Sequence, residues 1–202
     1  MGNIKEFKYK IIKNFLTENE QSLLKEYCLI QHKCNTHSFD MVYNPNGDTA
    51  FENDILMESL MKLKIPLMEK ETGLKLFPTY SFWRMYTMFA DLRKHTDRAS
   101  CEISVSVKIG SDGTPWPIFI ENNSIELEDG DAVIYLGCEL NHWREEFKGD
   151  WNAQVFMHYV DQNGPFKNLK FDTKPMLGLK YNYRNNDILQ NFKNVMEEIY
   201  KK

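Results

Sequence analysis

The sequence predicts a mainly β domain, a sandwich or barrel, with helices packed ahead of it and one more behind. Three observations lead there. From Leu76 onward, short runs rich in β-branched and aromatic residues recur, with turn signals about every ten residues. Residues 103–109 alternate apolar and polar side chains, the period of a strand with one covered face. Helical periodicity, by contrast, is confined to segments before residue 73 and after residue 186.

In order, residues 8–16 read as a short strand leading into a turn. Thr17, Glu18, Asn19 and Glu20 form a capping box, in which the threonine hydroxyl accepts from the backbone near Glu20 and the glutamate reaches back. Leu23, Leu24, Tyr27, Cys28 and Ile30 then predict an amphipathic helix over residues 18–32. Residues 33–49 are polar and turn-rich, a loop placed to carry substrate contacts. A second helix is expected over residues 54–72 on the stripe Ile55, Leu56, Leu60, Leu63 and Leu67. Pro66 kinks or divides it and Gly73 ends it. Met57, Met61 and Met68 fill core gaps there. Strands follow over residues 79–86, 103–109, 116–120, 125–127, 132–136 and 153–160. A last amphipathic helix, residues 187–200, carries Ile188, Leu189, Phe192, Val195, Met196 and Ile199.

The 202 residues suit one domain spanning 1–202, with 42% apolar and 27% charged residues. A net charge of −4 gives no electrostatic footprint for nucleic acid. No stretch has the apolar length of a membrane span, and the N-terminus lacks a signal core. Glu6 stands where a myristoylation motif needs Ser or Thr. Cys28, Cys34, Cys101 and Cys138 form no Cys-x-x-Cys pair, which favours reduced thiols and a cytoplasmic setting.

The chemistry is carried by His95, Asp97 and His142. On an extended segment His95 and Asp97 project to the same side. A second histidine closes a set of two imidazoles and one carboxylate, which leaves one face of a metal open, as in non-heme Fe(II) oxygenases. A bare His-x-Asp pair is common, and a β-sandwich binding module with surface histidines is the bland alternative. His158, beside Tyr159, competes as the distal ligand and is read as a pocket or core residue. His32 and His37 are read as surface residues.

Taken together, residues 13–161 resemble the 2-oxoglutarate- and Fe(II)-dependent oxygenases, in particular the prolyl 4-hydroxylase-like branch. The resemblance is carried by Asn14 to Glu20, Arg84 to Tyr86, His95 and Asp97, Leu127 to Asp131, Ala132 to Leu136, and His142. It implies a double-stranded β-helix, jelly-roll or cupin-like, with N-terminal support helices and a C-terminal helix. It also implies Fe(II) held by His95, Asp97 and His142, with 2-oxoglutarate and O2 as cosubstrates. The reaction implied is hydroxylation of an unactivated C–H bond of a protein side chain, amino acid or small molecule, releasing succinate and CO2. Alternatives are a double-stranded β-helix binding protein without turnover and a nucleic-acid-modifying oxygenase.

The sequence departs from that family at the cosubstrate anchor. The family places an Arg or Lys about ten positions after the third ligand, where this chain has Trp151 and Asn152. Arg144 is the first candidate to replace it and Lys108 the second, with Gln154 as a polar contact. The alternative reading of Arg144 is an ion pair with Glu145 or Glu146. Tyr86 matches a position that hydrogen-bonds the cosubstrate, and Arg98 is expected to orient Asp97. Trp83, Trp116 and Trp143 are candidate pocket walls.

Overall fold

Ile103, Val105, Val107 and Ile109 alternate with Ser104, Ser106 and Lys108 along one strand, and the whole architecture follows from keeping those two sets apart. In the computed structural model, which describes residues 3–34 and 47–179, this strand lies inside a six-stranded antiparallel sheet. The elements in chain order are α1 (Ile4–Phe7), β1 (Tyr9–Ile12), α2 (Glu18–Cys34), β2 (Thr49–Glu52), α3 (Ile55–Leu63), α4 (Ile65–Thr72), β3 (Leu76–Thr87) and β4 (Leu92–His95). There follow β5 (Ile103–Ser111), β6 (Ile118–Ile120), β7 (Asn123–Ile125), β8 (Ala132–Tyr135), β9 (His142–Arg144) and β10 (Trp151–Asp161). The larger sheet runs β1-β8-β5-β10-β3-β2, and a smaller one runs β4-β9-β6-β7.

The outer face of the larger sheet is covered by helices. Leu24 and Cys28 of α2, Met57, Leu60 and Met61 of α3, and Met68 of α4 bury against Trp83, Met85, Val105, Val107, Val155 and Met157. Trp83 belongs to this face, beside Tyr27 and Phe51, and so lines no inner pocket. Truncating it to alanine is expected to cost about 3–5 kcal/mol. The inner face looks across to the smaller sheet, where Val133 and Tyr135 pack with Ile118, Ile120 and Ile125. Tyr86, Trp116, Phe147 and Phe156 fill the other end.

Local sequence explains the boundaries. The capping box forms: Thr17 Oγ1 accepts from the Glu20 N–H at 3.3 Å, and Glu20 accepts from the Thr17 N–H at 2.8 Å. The helix expected over residues 54–72 divides at Lys64, because Pro66 is tolerated only in the first turn of the helix that follows. Gly73 ends it in the left-handed region at φ 71°. Asp131 clips β1 to the turn before β8. Its carboxylate accepts from the backbone N–H groups of Asn14 and Glu128, at 3.0 and 3.1 Å, and from Lys13 at 2.6 Å.

Three short strands, β2, β4 and β9, and the one-turn helix α1 go beyond the sequence expectation. The strand expected over residues 125–127 is instead β7 at Asn123–Ile125. His37 and the helix expected over residues 187–200 lie outside the described residues, as does most of the loop 33–49. Among the described residues, no helix is long and apolar enough to cross a membrane.

Candidate metal centre

β4 and β9 are neighbours in the smaller sheet, and His95 and His142 are register partners across them. Each imidazole is held from behind. His95 Nδ1 lies 2.7 Å from the carbonyl oxygen of Arg93, and His142 Nδ1 lies 3.0 Å from that of Leu140. A carbonyl only accepts, so each Nδ1 carries a hydrogen; Nε2 then holds the lone pair when the ring is neutral and donates to Asp97 when the ring is protonated. Both Nε2 atoms face the same oxygen: Asp97 Oδ1 stands 3.4 Å from each.

This donor set fits a divalent metal. At bond lengths of about 2.1 Å, neighbouring ligands at right angles stand about 3 Å apart, close to the separations found. The ligand atoms of His95, Asp97 and His142 all lie within 4.8 Å of one another. Burial opposes ionisation of Asp97, but hydrogen bonds from the His142 and His95 rings hold its carboxyl well below the usual carboxylate range. The bond to Asp97 raises His95 above its ordinary 6.5, against the effect of its burial.

The other oxygen, Asp97 Oδ2, accepts from Ser104 Oγ at 3.0 Å. Ser104 also lies 2.9 Å from His158 Nδ1. The Asp97 backbone N–H donates to the Gly137 carbonyl at 2.8 Å. Gly137 is pressed so closely here that a Cβ would stand 2.6 Å from Asp97 Oδ2 and 2.5 Å from the Cys101 carbonyl oxygen.

Arg98 does not orient Asp97. Its backbone is extended, so neighbouring side chains project to opposite sides, and its guanidinium turns away to make paired bonds to Asp172 at 2.6 and 2.9 Å. His158 stands outside the triad. It is buried, tilted against Tyr80 at 4.6 Å, and burial pushes it down to about 4, so the ring is neutral at neutral pH. Asp97, Cys101 and His158 also gather within metal reach. The Cys101 thiol, however, is engaged with the Tyr80 hydroxyl at 3.2 Å, and burial pushes it up, away from the thiolate a metal needs.

β9 sends His142 and Arg144 to the same side, into the barrel. Arg144 is 3% exposed, its guanidinium lies 4.8 Å from the Trp116 ring centre, and Nη1 donates to the Trp116 carbonyl at 2.5 Å. Nε and Nη2 have no hydrogen-bond partner among the described residues. The ion pair with Glu145 or Glu146 does not form: Glu145 accepts from Trp143 Nε1 and Glu146 pairs with Lys148. Burial pushes Arg144 down to about 10, which leaves it protonated at neutral pH.

The neighbouring inner face is polar. Ser106 Oγ, Asn152 Nδ2 and Gln154 Oε1 are buried and likewise unpartnered among the described residues, while Gln154 Nε2 donates to Asn152 Oδ1 at 2.6 Å. Lys108 is buried too, but its ammonium stands 3.5 Å from Asp129 in the turn before β8. Tyr86 is 1% exposed and meets Trp116 edge-on at 4.7 Å. Trp143 points away from the barrel and stacks on Phe119 at 5.2 Å. His32, at the end of α2, binds Thr49 at 2.8 Å.

Sequence reasoning did not single out Ser104, Ser106 or Gly137 as site-shaping. The serines were within reach, because the alternation of residues 103–109 already assigns them to the face opposite the apolar set. Gly137 gives no such signal, since its role is a three-dimensional contact.

Neither a protein-family model nor a curated protein sequence matches the chain. Solved structures do match. An oxidoreductase of the 2OG-Fe(II) oxygenase family from Burkholderia pseudomallei superposes with a TM-score of 0.59 at 11% identity, covering 80% of this chain and 88% of that one. A prolyl-4-hydroxylase from Pseudomonas putida gives 0.56 at 15% identity, covering 76% and 92%. A prolyl hydroxylase from Trichoplax adhaerens, solved with a hypoxia inducible factor oxygen degradation domain peptide fragment, gives 0.61 at 13%, covering 79% and 86%. At these identities the likeness establishes the fold, and that fold is the double-stranded β-helix.

Proposed function

We propose that this chain is an Fe(II)- and 2-oxoglutarate-dependent oxygenase that hydroxylates a C–H bond of a protein side chain, amino acid or small molecule. The observation that carries the reading is the convergence of two Nε2 lone pairs and one carboxylate oxygen at a single point inside this barrel. His95, Asp97 and His142 would hold the metal. When bound, Fe(II) together with 2-oxoglutarate and O2 supplies the oxidising chemistry, with succinate and CO2 as coproducts.

The chain's own residues do the rest. The carbonyls of Arg93 and Leu140 hold a hydrogen on each Nδ1, so that Nε2 is the nitrogen left to meet a metal. Arg144 presents a buried cation with two open donors, which suits the distal carboxylate of 2-oxoglutarate; a desolvated anion needs such a partner. Asn152, Gln154 and Ser106 offer further polar atoms on the same inner face. Trp116 and Tyr86 wall that chamber and exclude water. Lys108 is the weaker candidate for the anchor because Asp129 already engages it.

Asn152 favours a second reading, a binding protein without turnover, because the related enzymes carry a base near that position. Incubation with Fe(II), 2-oxoglutarate and O2 separates the two. Uncoupled or substrate-driven conversion of 2-oxoglutarate to succinate supports the enzyme. Tight 2-oxoglutarate binding without any succinate, across a panel of peptides and amino acids, supports the binding protein.

A further inference from the structure

The geometry points to Ser104, backed by His158, as a positioning residue that ties off Asp97 Oδ2 and so leaves the carboxylate only Oδ1 to offer a metal. The inference rests on the oxygenase reading above and concerns the number of metal positions left open. A carboxylate can bind a metal through one oxygen or through both. Beside two imidazoles, a second carboxylate oxygen would occupy part of the face that a chelating cosubstrate and O2 must share.

The hydrogen-bond inventory shows how the second oxygen is withheld. An ionised Asp97 only accepts, so the single hydroxyl proton of Ser104 goes to the charged Oδ2 at 3.0 Å in preference to the neutral acceptors around it, the Cys101 carbonyl at 3.3 Å and the ring nitrogen His158 Nδ1 at 2.9 Å. With that proton committed, Ser104 Oγ can only accept from His158 Nδ1 at 2.9 Å. His158 is therefore the Nδ1–H tautomer, and a directed chain runs His158 to Ser104 to Asp97. Each link is fixed. Ser104 is fully buried, His158 lies against the Tyr80 ring at 4.6 Å, and Gly137 lets the backbone close over Oδ2 without a Cβ in the way. Oδ1, in contrast, faces both Nε2 atoms.

The test uses the full chain loaded with Mn(II) and reads three quantities: Mn(II) affinity, exchangeable waters on the bound Mn(II) by water-proton relaxation, and 2-oxoglutarate affinity. Ser104→Ala should retain Mn(II) with fewer exchangeable waters than the wild type, and should bind 2-oxoglutarate more weakly, by a factor on the order of the 10–100-fold that outer-sphere changes cost in metal affinity or activity. His158→Phe keeps a ring against Tyr80 but loses the donor, and should shift both quantities the same way by less. Because the two act through one chain, the double variant should match Ser104→Ala alone, whereas independent packing losses would add. An unchanged water count in Ser104→Ala overturns the proposal whatever happens to Mn(II) affinity, and additive losses in the double variant overturn the role of His158. If the wild type itself binds neither Mn(II) nor 2-oxoglutarate, the oxygenase reading falls and takes the inference with it.

Discussion

His95 and His142 stand opposite each other on β4 and β9, each ring turned by the carbonyl two residues before it so that both Nε2 atoms meet Asp97 Oδ1. Two of the three candidate ligands are thus built into a strand pair, and Asp97 follows in the loop just after β4. Mn(II) or Fe(II) should bind at one ion per chain by titration calorimetry. His95→Ala and Asp97→Ala should each weaken binding beyond the roughly 10–100-fold that losing an outer-sphere partner costs. His158→Ala should keep the metal, since its nearest partner is Ser104. Undiminished binding in both ligand variants would remove the assignment.

Gly137 offers an independent test of the same site. Its missing Cβ leaves room for Asp97 Oδ2 and the Cys101 carbonyl, each within 2.6 Å of where that carbon would be. Gly137→Ala should push Asp97 off its position and weaken Mn(II) binding by about 10–100-fold. Far-ultraviolet circular dichroism checks that the variant keeps its fold, so that the loss reads on Asp97. Wild-type affinity in the variant would mean that Asp97 relaxes freely.

Much of this was legible in the sequence, and the rest has physical reasons. The capping box at Thr17, the break before Pro66 and the long strands β3, β5 and β10 follow from local rules that tertiary structure only reinforced. The triad could be named because a His-x-Asp pair and a distant histidine frame a run of strands. β4 and β9 escaped notice because Leu-Arg-Lys-His and His-Trp-Arg are too short and too polar to show alternation; pairing with each other makes them strands. The expected role of Arg98 failed because neighbouring residues on extended backbone diverge, and Asp172 waits 74 positions away to take it. No reading of one sequence finds that partner.

Acid should loosen the link between β1 and β8. Burial works against the Asp131 carboxylate, but Lys13 and the backbone N–H groups of Asn14 and Glu128 hold its pKa below the ordinary 3.8. A pKa depressed in the folded state adds stability above the unfolded value and loses it as pH falls through the folded one. Lys13 is exposed, so the ion pair adds little, and the loss is carried by the backbone bonds. Asp131→Asn should lower stability at neutral pH by about 1.5–3 kcal/mol, the range for hydrogen bonds to a charged group. It should also flatten the acid limb of a plot of thermal midpoint against pH. A variant that melts with the wild type at every pH would exclude the clip.

Arg144 separates function from stability most sharply. Its guanidinium is buried with two donors open, and no carboxylate among the described residues pairs with it, so it is a cost to the ligand-free fold. Arg144→Met fills similar volume without a charge and should raise the thermal midpoint of the metal-free protein. The same change should weaken 2-oxoglutarate binding by about 2–5 kcal/mol, the usual loss when one member of a desolvated charge pair is removed. Arg144→Lys should fall between, because an ammonium cannot make the two parallel bonds of a guanidinium. Mn(II) affinity should survive both substitutions, and Lys108→Ala should change 2-oxoglutarate binding little, since Asp129 holds that ammonium. A large loss in Lys108→Ala with a small one in Arg144→Met would move the anchor to β5. If neither variant shifts the 2-oxoglutarate dissociation constant, both assignments fail, and Asn152 and Gln154 on β10 become the groups to substitute next.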